Sequence, residues 1–549
     1  MSARRKNTNP RYGIRPVLSA KEAFATRTDT DPDGPPGIWR RDTPPSDDDA
    51  MDITHVIHSV FSNPDLYAAA NAVPPRSKKK PGCPADYPNW VLAGFGALLS
   101  AYGSSRAAHT GLQVDRNWAY VLETVAAAQG QGTVDALRDK AKQHGPNRNH
   151  WNYWSKVNKK HWDTIQETLV PLFVKQAQEQ GLLDPTGKVS YASPNQANTI
   201  YGDGKVMTGP TRPRKGVTFD SETGEWLHKG RPVRQDPASS LWAEGGDDGE
   251  EAYGTKFVFT SVRGTGFYNK VNLVMGKQVE GGATEAQHCL AHARRVMELA
   301  GAGVHAIAWD GALSSVHIDE LMREHGLVVA SPVKAKSNPD GIRSGKVAAS
   351  RIEKERHYAT VKDRSPHGPC RHNLVMRGGR LGQVLIDSAG TETWVPLRID
   401  KLVRTGQPGA YRWYHELTID CSTNNEHTPR CADGHAGGCT LGQPGGCTSG
   451  SHPYRLPLVQ TKDDTDAGFR RAEYARQLPP DTQGYARTFG RRPPAESDNS
   501  QREQRYTWER IPAYGNDQQS LIMLLGSLLE NSKSRWHYQR LHAHDQAVA

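Results

Sequence analysis

The chain has 549 residues, with 69 Lys and Arg against 59 Asp and Glu, for a formal net charge of +10 at pH 7. That length suggests roughly two to four domains with ample core, and the basic balance favours acidic partners, nucleic acid foremost. Membrane and secreted classes are disfavoured: the longest apolar run, "WVLAGFGALLSAYG" at 90–103, falls short of the roughly 20 residues of a bilayer span, and the basic start "MSARRKNTNPRYG" has no apolar stretch behind it.

The expected location is therefore cytoplasmic and, given the charge, nucleoid-associated. Residues 1–80 are rich in Pro, Asp, Arg and Ser and read as largely disordered, with one or two short helices within "DITHVIHSVFSNPDLYAAANAV". From 84 to 190 the apolar spacing is helical, and Thr133 is the expected N-cap of "TVDALRDKAKQHG". In "NRNHWNYWSKVNKKHW", Arg148, Lys156, Lys159 and Lys160 interleave with Trp151, Trp154 and Trp162. Such a helix can offer cations to phosphates over packed aromatics, or be a plain bundle helix with solvated lysines. This region is the expected DNA-binding part.

Between 195 and 340 the pattern changes to strand, strand, strand, helix, strand, helix, strand, interrupted by a polar excursion at 212–251. Helices alternating with apolar strands predict a mixed sheet. Residues 341–479 read as a β-rich insertion, and 480–545 return to helix. The Cys/His loop 421–452 carries Cys421, Cys431, Cys439 and Cys447, with His427, His435 and His452 beside them. Thiolates crowded into a Gly-rich loop suit structural Zn²⁺, with the four cysteines as the preferred ligands.

"TIYGDG" at 199–204 and "AIAWDG" at 306–311 share one form: a short apolar strand, then Asp, then Gly. Asp-Gly is also a favoured turn dipeptide. If the two strands lie side by side and parallel, Asp203 and Asp310 emerge together, and a Mg²⁺ or Mn²⁺ ion relieves their repulsion. A third acid is expected from the C-terminal helices. Glu496 is the preferred candidate, four residues after Arg492 and just past Pro493 and Pro494, with Glu503 and Glu473 as rivals.

In "YGDGK", "IAWDGAL" and the final helical block, the chain resembles the DDE transposases of bacterial insertion sequences over roughly 85–540. The resemblance implies an α/β fold: an RNase H-like mixed-sheet core from 195–340 and 480–545, a helical N-terminal region, and a β-rich insertion before the C-terminal helices. It implies a transposase that cleaves double-stranded DNA at transposon ends and transfers the strands, using Asp203, Asp310 and Glu496 with two Mg²⁺ (or Mn²⁺) ions, and a homodimer on DNA as the expected assembly. Lys205, Lys334, Arg492 and Arg502 are the expected contacts to DNA or to the transition state. The family subgroup with Tyr-x2-Arg-x3-Glu-x6-Lys on its last helix is matched here by Phe489, Arg492, Glu496 and Glu503, so an acid replaces the lysine. That departure keeps two other readings open: a catalytically inactive, transposase-derived DNA-binding protein, and a metal-dependent nuclease without strand transfer.

Overall fold

The computed structural model describes residues 51–74, 86–333, 355–420, 451–490 and 502–548, apart from 188, 212–216, 221–224, 234–235, 244–250, 266–268, 280, 366–367, 387–390, 503–504 and 507–509. The protein is a mixed α/β structure built around one mixed sheet. Its path is β5 (Ser240–Ala243), β6 (Glu251–Arg263), β1 (Thr199–Thr208), β8 (Ala306–Ala308) and β9 (Val328–Ala330), and β7 (Lys270–Gln278) continues the edge that β5 begins on β6. β6 is antiparallel to β1 and β7, whereas β1, β8 and β9 run parallel. β8 and β9 are buried along their whole length. Strands covered on both faces need continuous apolar runs, and "AIA" and "VVA" supply them.

Two crossover helices carry the chain between the parallel strands: α10 (Glu285–Ala300) from β7 to β8, and α11 (Ser315–Arg323) from β8 to β9. α10 opens on a capping box between Thr284 and Gln287 and stops at Gly301, whose φ of 59° suits glycine. Its buried residues Ala286, Cys289, Leu290, Ala293 and Val296 recur at helical spacing and face the sheet.

The helical N-terminal region comprises α1 (Ile53–Phe61), α2 (Pro64–Asn71), α3 (Asn89–Tyr102), α4 (Ser105–Leu112), α5 (Asp115–Gln129), α6 (Gln131–Asp135), α7 (Asp139–Gln143), α8 (Arg148–Asn158) and α9 (Trp162–Glu179). α1 and α2 are capped by Asp52 and Asn63, and Ile57, Val60 and Phe61 are fully buried. Residues 51–73 thus belong to the folded body, and residues 1–50 lie outside the described set. Thr133 does not cap a helix: it sits inside α6, where its hydroxyl donates to Gln129 O, and the expected single helix is split into α6 and α7. The polar excursion holds a small sheet, β2 (Val217–Asp220), β3 (Glu225–His228) and β4 (Arg231–Pro232).

The insertion is β-rich. It forms a meander of β10 (Glu355–Ser365), β11 (Gly368–Arg377), β12 (Arg380–Ile386) and β13 (Glu392–Pro396), and a second sheet of β14 (Arg398–Thr405), β15 (Arg412–Asp420) and β16 (Ser451–Pro457). It is bolted to the β9 side of the core. Trp413 Nε1 donates to Met322 O at 3.0 Å, and the Gln477 side chain bonds both Val329 N and Leu327 O.

After the short helices α12 (Lys462–Asp466) and α13 (Gln483–Phe489), the last helix, α14 (Asn516–Val548), links the N-terminal helices to the sheet. Its segment from Leu521 to Leu525, with Leu528 and Leu529, is buried on all sides, as a helix apolar around its girth must be. The polar side chains farther along are paired. Asn531 Oδ1 accepts from Asn272 N and its Nδ2 donates to Asn272 O, at 2.8 and 2.9 Å. Ser532 accepts from Asn63, and Arg535 pairs with Asp65. The start of the helix is tied down by fully buried Asp236, which accepts from Gly515 N, Gln519 and Ser239.

Asn531→Ala leaves two backbone groups of β7 buried and unpaired. The expected loss is about 2–4 kcal/mol, read as a lower urea midpoint together with faster hydrogen exchange of the Asn272 amide. Burial also holds two imidazoles neutral: His292, its pKa lowered to about 3 with His288 adding to the shift, and His415, lowered to about 4. Both folded values lie below the ordinary 6.5, so the unfolded chain takes up protons first as pH falls. Their stabilisation is complete above pH 6.5 and declines towards pH 4, by about 1.4 kcal/mol per pH unit for each group. The melting temperature should fall through that window, and less steeply in His292→Asn.

Candidate metal centre

β1 and β8 pair in register through Thr199–Ala306, Ile200–Ile307 and Tyr201–Ala308. Trp309 N donates to Ala330 O at 3.0 Å, extending the ladder of β8 beside β9. Continued two residues, the β1–β8 register sets Asp203 beside Asp310. The chain runs from β1 outward to β6 and β7, then returns past β1 to β8. The gap between β1 and β8 is therefore a switch point, where chain leaving the two strands diverges and side chains at the strand ends are left accessible.

Asp203 is not in a turn, because β1 continues to Thr208. Its flanking glycines answer a different need. A Cβ on Gly202 would overlap the Trp309 ring, and one on Gly204 would overlap the Glu285 carboxylate. Both glycines face α10, so Asp203 faces the opposite side of the strand, as does its cross-strand neighbour Phe259. Asp310 leaves the sheet: its Oδ1 accepts from Ala312 N at 2.8 Å, and Ser331 Oγ donates to its carbonyl at 3.0 Å.

The third carboxylate gathered here is Glu285, at the first position of α10. Ligand oxygens of Asp203, Glu285 and Asp310 all lie within 4.8 Å of one another. Glu285 is firmly placed. Its Oε1 accepts from Gly204 N and Trp309 Nε1, each at 3.2 Å, and its Oε2 pairs with Lys256 Nζ at 2.9 Å. The helix N-terminus adds a favourable dipole. One turn on, burial and the charges of Glu285 and Asp310 push the Cys289 thiol well up, so it stays protonated. Three hard oxygen donors converging on one point fit a divalent cation.

The predicted residues fare differently. Asp203 and Asp310 are brought together. Lys205 lies two residues along β1 and shares the Asp203 face. Arg502 is buried, with its guanidinium 3.8 Å over the Phe259 ring and Nη2 donating to Asn272 Oδ1 at 2.6 Å. It supports the sheet beside Asp203 and is not displayed to a substrate. Glu473 accepts from Ser315 at the start of α11 and is not among the gathered carboxylates. Glu496, Glu503, Arg492, Lys334, Cys421, Cys431, Cys439 and Cys447 lie outside the described residues. Sequence reasoning missed Glu285, although the capping box "TEAQ" at the head of the crossover helix was a signal for an acid at that edge. A second acidic group, Glu320, Glu324 and His325, lies at the end of α11, where Arg294 and Arg323 already pair with its carboxylates.

No family model, curated protein or solved structure matches this chain.

Like charges this close repel by an amount on the order of 1 kcal/mol or more. Asp310→Asn keeps the acceptor for Ala312 N and removes a charge. In EDTA it should melt above wild type. Millimolar Mn²⁺ should raise the wild-type melting temperature and leave that of Asp310→Asn unchanged.

Proposed function

We propose that the protein is a DDE-transposase-like enzyme with an RNase H-like core, cutting and joining double-stranded DNA. The observation that carries this reading is the convergence of Asp203, Glu285 and Asp310 at the switch point of a sheet ordered β7–β6–β1–β8–β9. The net charge of +10 supports a polyanionic substrate. Asp203 and Asp310 are the residues to hold Mg²⁺ or Mn²⁺, two ions being the expectation, with Glu496 as the proposed further ligand. When bound, such ions activate the attacking hydroxyl and stabilise the departing 3′-oxygen. The chain's own part is to fix these carboxylates. Glu285, held by Gly204, Trp309 and Lys256, orients the cluster from behind, and Lys256 balances its charge. Lys205, two residues along β1 from Asp203, is the proposed contact to a phosphate. By its chemistry the loop 421–452 suits Zn²⁺, and joining two DNA ends calls for a homodimer on DNA.

A second reading has one specific observation in its favour. Both oxygens of Glu285 already have protein partners, including a cation, so the cluster is partly neutralised by the chain itself. A transposase-derived DNA-binding protein without catalysis would need no more.

The test is incubation of duplex DNA carrying the element's ends with Mg²⁺ or EDTA. Metal-dependent nicking is expected, with Asp203→Asn and Asp310→Asn below detection and Glu285→Gln reduced by about 10–100-fold. Binding without nicking selects the non-catalytic reading, and nicking without joined products selects a nuclease.

A further inference from the structure

We infer that the outward face of α8 is the surface that reads DNA sequence, entering the major groove of a duplex. The inference rests on the proposal that DNA is the substrate, and it names the element that recognises it.

The inner face of α8 is occupied. Trp151 and Trp154 are 2% and 4% exposed. Trp151 stacks between Phe95 and Trp154 with centroids 5.8 and 5.6 Å away, Trp154 Nε1 donates to Asn89, and Ser155 accepts from Gln518 of α14. The helix is therefore rigidly mounted and cannot rotate. Its outer face presents Arg148, Asn149, Asn152, Tyr153, Lys156 and Val157, all exposed, at the i, i+1, i+4, i+5, i+8, i+9 spacing of one helical side. Tyr153 and Val157 are 58% and 47% exposed, an unusual display of large side chains on a surface otherwise polar.

Charge decides the partner. From Arg148 to His161 there is no acidic residue, while Arg148, Lys156, Lys159 and Lys160 are cationic. Protein interfaces are depleted in lysine, whereas DNA surfaces are met by Arg, Lys, Asn and Tyr. Asparagine can pair with adenine, arginine with guanine, and an apolar side chain can touch the thymine methyl. A helix, about 10–12 Å across with its side chains, fits a groove about 12 Å wide. At its head, a cleft of about 340 Å³ is lined by Arg106 and His109 of α4 with Asn147, Arg148 and Asn149. Arg106 and Arg148 there offer cations to a phosphate, with the α8 N-terminus adding its dipole.

The experiment selects duplexes from a randomised 20-base-pair pool with the full chain in EDTA, then measures affinities by fluorescence anisotropy. Wild type should yield a consensus. Asn149→Ala/Asn152→Ala should lose at least tenfold of the discrimination between the selected duplex and a scrambled one, while keeping salt-dependent binding. Arg106→Ala/Lys156→Ala should weaken binding to both duplexes equally and flatten the salt dependence. Each variant should keep the wild-type circular dichroism, and Asp310→Asn should bind as wild type. An unchanged consensus in Asn149→Ala/Asn152→Ala overturns the inference, as does a changed sedimentation coefficient with unchanged DNA binding, which would make α8 a protein interface. Wild type that nicks DNA with affinity indifferent to α8 sinks this inference alone. A consensus read through α8 without nicking leaves it standing and sinks only the catalytic reading.

Discussion

Three carboxylates brought within one another's reach are the constraint around which the sheet is arranged. Such a cluster is unfavourable in a partly dry site, and the fold meets it from two directions. Behind β1, Gly202 and Gly204 clear room for Trp309 and Glu285, so that an indole N–H, a backbone N–H and Lys256 all converge on Glu285. In front, Asp203 and Asp310 stand at the strand ends on either side of the β1–β8 gap, where Ala312 N donates to Asp310. A structure that neutralises one acid internally and sets two others at a strand-end crevice has separated a supporting carboxylate from two that can bind.

Much of this was legible in the sequence because burial and ladder geometry are local signals. Each of the two Asp-Gly pairs follows a short, mostly apolar run, and parallel pairing of those runs in register aligns the acids. The alternation of apolar strands with amphipathic helices likewise gave the mixed sheet. Glu285 was not legible in the same way. An acid in the first turn of a helix is ordinarily explained by the helix dipole, and only the tertiary placement of α10 shows it facing Gly204. The three-stranded sheet at 217–232 escaped notice for another reason: its strands are two to four residues long, too short for a periodic pattern to stand out within a polar stretch. Thr133 misled because N-cap chemistry fits any turn, and a nearby Gly130 had already restarted the chain.

Arg502 has a packing role that its residue type alone does not announce. A guanidinium near the acids was expected to face DNA. It lies flat on Phe259 and bonds Asn272, the residue that Asn531 grips through the backbone. The cation thus ties Phe259 of β6 to Asn272 of β7.

The interlock of α14 with both α1–α3 and β7 bears on how the polypeptide is made. Helices α1–α3 leave the ribosome more than four hundred residues before α14 does, α8 and α9 more than three hundred, and β7 more than two hundred. Until it emerges, Asn63, Asp65 and the Asn272 backbone lack their partners, and an apolar seam stays open to solvent. Final consolidation must then await the end of translation, during which holdase chaperones have an exposed surface to bind. Premature termination anywhere upstream of α14 should yield a polypeptide fit for proteolysis rather than a stably folded fragment.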